Sequence, residues 1–226
     1  MKITRVKICG MKSKRDVETA IRCGADAVGF ITEVPVNTPR KVDLETAATL
    51  ASSVPYFVDS VLVIMPETGQ QAVEMIERVE PDVVQLHKMI GVEELEFIRN
   101  NTSIDIIKTF SIPVDTKNSA DEMVSQINEF IERDLLDGVL LDSTTPGKVG
   151  GTGKVHDWSI SREIVERLDI PVMLAGGLNP ENVREAVLKV SPYAVDSVSG
   201  IETQGKKDEE KICRFVKEAR CIDDGI

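Results

Sequence analysis

The chain is poor in aromatic residues, with one tryptophan, two tyrosines and six phenylalanines among 226 residues. It has only two histidines, His87 and His156. No apolar run reaches the roughly eighteen residues that a membrane-spanning helix needs, so a membrane protein of that kind is not expected. Its four cysteines, Cys9, Cys23, Cys213 and Cys221, are widely scattered and form no C-x-x-C pair. The N-terminal residues enter a short β-like segment directly, without the charged and apolar regions of a secretory signal. Free thiols and a cytoplasmic location are the corresponding expectations. Positive charge is also scarce: 27 basic against 38 acidic residues give a net charge of −11. Nucleic acid and anionic membrane are therefore poor partners, and an anionic ligand would have to be met by local donors.

What the chain does have is regular alternation. Short apolar, β-branched runs read as strands at Ile3–Ile8, Asp26–Ile31, Val58–Ile64, Asp82–Leu86, Ile104–Thr109, Gly138–Leu141, Pro171–Ala175 and Ala194–Val198. Longer periodic stretches between and after them read as helices at Lys14–Cys23, Leu44–Ser53, Gln70–Val79, Val92–Asn100, Ala120–Arg133, Ser159–Leu168, Pro180–Val190 and Asp208–Ala219. Ser13, Asp43 and the run Asn179-Pro180-Glu181 supply helix-start signals, and Gly24 a helix stop. Most of the strands lack a polar face, as expected where helices cover one side and a packed interior the other. The reading is an eight-stranded parallel β/α (TIM) barrel forming a single domain over residues 1–226. An open doubly wound sheet competes, but its G-x-G-x-x-G turn is missing after the first strand, which runs into Cys9-Gly10-Met11-Lys12-Ser13. The longest non-periodic stretch, Ser143 to Asp157 with four glycines, has the character of a binding loop or lid.

In such a barrel, chemistry gathers at the C-terminal ends of the strands. Cys9, His87 and Asp142 end strands one, four and six, and Arg40 lies in the loop after strand two. Gly176-Gly177 and Ser199-Gly200 follow strands seven and eight, where glycines let backbone N–H groups approach a phosphate. Side-chain alternation places Lys7 on the same side as Cys9, and Gln85 on the same side as His87. Asp196, near the end of the adjacent strand eight, is the expected partner for an inward Lys7, whose charge would favour thiolate at Cys9. Each residue also has a plainer reading. Cys9 could be a small apolar filler, Asp142 a cap, His87 a hydrogen-bonded structural residue and Arg40 a solvated loop charge. His156, inside the long loop, carries little signal.

A set of motifs distributed in order along the chain carries a resemblance. They are Lys7-Ile8-Cys9-Gly10, Asp26-Ala27-Val28-Gly29-Phe30, Val84-Gln85-Leu86-His87, Leu140-Leu141-Asp142, Gly150-Gly151-Thr152-Gly153-Lys154 with Asp157-Trp158, Gly176 to Val183, and Val195-Asp196 through Ser199-Gly200. Together they resemble the phosphoribosylanthranilate isomerases of tryptophan biosynthesis. The resemblance implies an Amadori rearrangement of N-(5-phosphoribosyl)anthranilate, with no metal and no organic cofactor. It further implies Cys9 as general base, Asp142 as general acid, Arg40 at the anthranilate carboxylate, and the glycine loops, with His87, Asp196, Ser199 and Gly200, around the phosphosugar. The chain departs from the family in the loop Glu33 to Arg40, which lacks the usual aromatic and serine, and at Lys88, where glycine is usual. A small phosphosugar is thus the expected partner. A homodimer is open to the chain, its oligomeric state not being legible in the sequence. Another phosphosugar barrel enzyme, or a noncatalytic phosphate-binding barrel, stands as the alternative.

Overall fold

The computed structural model describes residues 3–87, 90–114, 120–144 and 155–221. Lys88 and the stretch Gly150–Lys154 lie outside them, as does most of the long loop expected to act as a lid. Eight parallel strands close into a barrel in sequence order: β1 (Arg5–Cys9), β2 (Ala27–Ile31), β3 (Asp59–Ile64), β4 (Val83–Leu86), β5 (Asp105–Pro113), β6 (Gly138–Thr144), β7 (Val172–Leu174) and β8 (Ala194–Ser197). Helices α1 (Lys14–Arg22), α2 (Leu44–Ala51), α3 (Gly69–Val79), α4 (Val92–Asn101), α5 (Ala120–Ile131), α6 (Trp158–Arg167), α7 (Val183–Val190) and α8 (Glu209–Arg220) follow the strands in turn.

The strand alternation explains the layering. Val6, Ile8, Val28, Phe30, Leu62 and Ile64 point outward and are buried beneath the helices. The intervening positions fill the interior: Cys9 with Val61, Val63 and Val83 on one side, and Leu140 with Met173, Ala175 and Ala194 on the other. Closure is made by β1 against β8, where Lys7 stands opposite Asp196 in register.

The helix starts follow their capping chemistry. Ser13 Oγ accepts from Asp16 N–H, Asp43 Oδ1 from Thr46 N–H and Asp208 Oδ1 from Lys211 N–H. Three local differences from the sequence expectation bear on the site. Strand β6 continues past Leu141 to Thr144 because β5 also continues, pairing Ser111 with Asp142 and Pro113 with Thr144. Asp142 therefore sits within a strand rather than at its end. Helix α7 starts at Val183, not Pro180, because Asn179 Oδ1 takes the N–H groups of Glu181 and Asn182 into a turn of its own. After β8, a small hairpin of β9 (Glu202–Thr203) and β10 (Lys206–Lys207) forms around Gln204 and Gly205, both at positive φ.

The expectation of four free thiols is corrected. Cys23, capping α1, and Cys213, in α8, form a disulfide between residues 190 positions apart. Barrel closure sets the first and last helices side by side, a proximity invisible to any local spacing rule. Cys9 and Cys221 are free.

Candidate active site

Cys9, Arg40, His87, Asp142, Gly176, Gly177, Asp196, Ser199 and Gly200 all line one cavity at the C-terminal end of the barrel. Cys9 points inward against the bare backbone of strand β2: it pairs in register with Gly29, where a Cβ would come within 2.6 Å of its sulfur. Glycine at 29 is thus what makes room for the thiol. Across the cavity, His87 Nε2 lies 3.8 Å from Asp142 Oδ2, too far for a hydrogen bond. The other ring nitrogen, Nδ1, lies 3.2 Å from Thr109 Oγ1, to which the Gln85 side-chain amide also donates.

Lys7 and Asp196 meet inside the barrel, Nζ 3.1 Å from Oδ1, with 3% and 6% of their side chains exposed. A buried pair this close is held by mutual attraction that offsets desolvation, and losing one partner would strand the other. Charge and burial then compete at the two candidate catalytic groups. Burial pushes the Cys9 thiol above its ordinary range, and Lys7 and Lys207 only partly oppose it. The Lys7 charge does favour thiolate at Cys9, as expected, but in the free site desolvation outweighs it. Burial, reinforced by the Asp196 charge, likewise raises the Asp142 carboxyl to about 7. His87 is lowered, first by burial and then by Lys7, so its ring is neutral at pH 7.

The hairpin after β8 contributes two residues that sequence reasoning missed. Glu202 takes both edges of the Arg40 guanidinium, with Nε at 3.0 Å from Oε1 and Nη2 at 2.7 Å from Oε2. Lys207 Nζ donates to the same carboxylate at 3.0 Å and to the Val198 carbonyl at 2.9 Å. Two cations thus share one buried anion, leaving a net positive charge beside Cys9. The signal that could have found them is the Gln204-Gly205 turn between two short polar segments.

The glycine loops approach as closely as backbone allows. A Cβ at Gly176 would fall 2.2 Å from Ser143 N, and one at Gly200 would fall 2.0 Å from the Leu178 carbonyl oxygen. Gly176 and Gly177 both lie at positive φ. Their loop is tied through its carbonyls: Gly176 O accepts from Ser143 Oγ, Gly177 O from Asn182 Nδ2 and Leu178 O from Ser197 Oγ. Among the described residues, the N–H groups of Gly176, Gly177, Ser199 and Gly200 make no such internal bond. They are donors available to an anion at the cavity mouth. No group of three or more His, Cys, Asp or Glu among the described residues is placed to hold a metal ion.

A barrel cavity with an inward thiol, a raised carboxyl, a paired guanidinium and two glycine loops suits a phosphosugar ligand. Comparison with known proteins decides the family. The sequence profile described as N-(5'phosphoribosyl)anthranilate (PRA) isomerase matches residues 6–218. The chain belongs to the phosphoribosylanthranilate isomerase family. It is 53% identical over 223 residues to the N-(5'-phosphoribosyl)anthranilate isomerase of Methanosarcina acetivorans, covering 96% of this chain and 94% of that protein. A crystal structure of phosphoribosyl anthranilate isomerase with reduced 1-(o-carboxyphenylamino)-1-deoxyribulose 5-phosphate is similar at a TM-score of 0.77 and 32% identity, covering 96% of this chain and 98% of that one. Monomers generated from the dimeric Thermotoga maritima enzyme match at a TM-score of 0.78 and 31% identity, with coverage of 96% and 98%. Among the described residues, no helix is long and apolar enough to cross a membrane.

Proposed function

We propose that Cys9 and Asp142 are the base and acid of an Amadori rearrangement carried out in this cavity. The chain is an isomerase of tryptophan biosynthesis that converts N-(5'-phosphoribosyl)anthranilate to 1-(2-carboxyphenylamino)-1-deoxyribulose 5-phosphate. The observation that carries the residue assignment is the pairing of an inward thiol with a carboxyl raised to about 7 in one cavity. A carboxyl raised by burial to about 7 holds its proton in part of the population near neutral pH and can hand it to the furanose ring oxygen, so the ring opens to a protonated Schiff base. That cation acidifies the C2–H bond. Cys9, as thiolate, removes the C2 proton, and the resulting enolamine tautomerises to the ketone.

Binding follows from the surrounding donors. Arg40, aligned by Glu202, meets the anthranilate carboxylate with its remaining N–H groups, and the N–H groups of Gly176, Gly177, Ser199 and Gly200 meet the phosphate. The Lys7–Asp196 pair lies beneath the sugar and sets the field at both reacting groups. His87 lines the sugar opposite Cys9 as a neutral hydrogen-bonding group. No step calls for a metal or organic cofactor, because the Schiff base itself stabilises the developing carbanion.

The whole chain acts as one barrel domain, and its assembly is a homodimer through the opposite, N-terminal end of the barrel. There, Tyr56 and Phe57 stand 94% and 103% exposed on the loop before β3, beside a cavity lined by Val61, Val83, Ile107 and Met173. Two exposed aromatics beside a hollow that these apolar residues share with Arg5, Asp26, Asp59, Asp105 and Asp137 offer a docking face for a second copy, and the Thermotoga relative is described as dimeric. The cytoplasm is the compartment in which the small-molecule substrate and enzyme meet.

The test is consumption of the fluorescent substrate by purified protein in the presence of a chelator. Turnover that persists supports the reading. Turnover lost on chelation points to a metal-dependent phosphosugar enzyme, and no turnover at all points to a binding protein.

A further inference from the structure

His156 is buried, 3% exposed, at the point where the loop after β6 rejoins the barrel ahead of α6. It stands between two serines. Nδ1 lies 2.7 Å from Ser143 Oγ and Nε2 lies 2.6 Å from Ser161 Oγ. The His156 backbone N–H also donates to Ser143 Oγ, at 3.2 Å, and Ser143 Oγ in turn donates to the Gly176 carbonyl at 3.3 Å.

With the ring neutral, only one proton arrangement satisfies all of these contacts. The single Ser143 hydroxyl proton goes to the Gly176 carbonyl, so its two lone pairs accept from the His156 backbone N–H and from Nδ1–H. Nε2 is then the unprotonated nitrogen and accepts from the Ser161 hydroxyl. The chain of donors runs in one direction, from Ser161 through His156 and Ser143 to Gly176. Burial lowers the imidazole pKa to about 4, so the ring is held in this neutral form. The chain ends on a glycine loop that packs against Ser143 so closely that a side chain there would collide with it.

We propose that His156 is a positioning residue for the phosphate end of the cavity, holding the Gly176 carbonyl through Ser143 so that the N–H of the same peptide, that of Gly177, faces the phosphoryl oxygens. The proposal rests on the reading of the glycine loops as the phosphate site. Rotation of that peptide would turn a carbonyl, rather than an N–H, toward the anion. The imidazole therefore acts on ligand affinity at one end of the site only.

The experiment measures binding of inorganic phosphate and, separately, of anthranilate, by calorimetry on the intact protein, alongside KM and kcat. His156→Gln cannot place a donor at the Nδ1 position, whereas the His156→Asn amide can. For His156→Gln, phosphate affinity should fall about tenfold and KM should rise by a similar factor, with anthranilate affinity and kcat changed less than about threefold. His156→Asn should recover most of the phosphate affinity. If the Gln variant does not fold, Ser143→Ala carries the same expectation, since it removes the hydroxyl that reaches Gly176. Unchanged phosphate affinity in these variants would overturn the proposal, as would a parallel loss of phosphate and anthranilate binding, which marks general loosening. A wild-type protein that binds phosphate but does not turn over the substrate would sink the isomerase reading while leaving this arm to be judged on phosphate binding alone.

Discussion

Arg40 Nη2 lies 2.7 Å from Glu202 Oε2, so the cation that should recognise a substrate carboxylate is already clasped by a buried carboxylate. The clasp fixes the guanidinium plane and leaves part of its donor set for the ligand. Arg40 is thereby preorganised, not neutralised, because Lys207 shares the same anion.

Glu202→Gln should accordingly raise KM by about tenfold while kcat stays within a few-fold, as loss of alignment in a binding group does. Steady-state kinetics on the natural substrate checks this. A fall in KM would mean instead that Glu202 competes with the substrate for Arg40.

The ionisation order predicts a distinctive pH profile. Asp142 titrates at about 7, raised chiefly by burial, and Cys9 titrates above the ordinary thiol range for the same reason. The working form carries its proton on the lower group and none on the higher, so it is a minor species of the singly protonated site. kcat/KM should rise as pH passes about 7 and fall again as Cys9 titrates. Thiolate absorbance in the free enzyme should follow the alkaline limb, and thiolate already formed below pH 7 would contradict the order.

Lys7→Met leaves Asp196 buried without its partner and should destabilise the fold by about 3–5 kcal/mol. The double variant Lys7→Met with Asp196→Leu should recover much of that loss while remaining poorly active. Denaturant titration of the wild type, both single variants and the double variant reads the coupling directly.

The Cys23–Cys213 bond closes a very long loop between the first and last helices. Cys213→Ser should lower stability by about 2–5 kcal/mol and leave kcat/KM unchanged, since the bond lies in the outer helix shell. Thermal unfolding with and without reductant checks it: the wild type should shift on reduction, and the variant should not. The same comparison bears on a cytoplasmic placement, because activity has to survive in a reducing compartment.

The barrel was legible because its strands are short apolar runs such as Val28 to Ile31 and Val61 to Ile64, separated by capped helices. The positions of Cys9, Arg40, His87 and Asp142 at one end follow from that count together with the rule that the βα loops build the site. What was not legible lies in long-range geometry. Glu202 and Lys207 arrive on strands of two residues with no apolar alternation to announce them. Cys23 and Cys213 become neighbours only when the barrel closes. The competition at Cys9 between Lys7 and desolvation depends on a burial that residue types alone do not quantify. His156 looked uninformative because its partners, Ser143 and Ser161, are ordinary serines until the fold encloses them.

Cys9→Ala and Asp142→Asn, each assayed by loss of substrate fluorescence, should lower kcat by about two to four orders of magnitude with both proteins folded. A Cys9→Ala protein that retained nearly the full rate would contradict the assignment of the base.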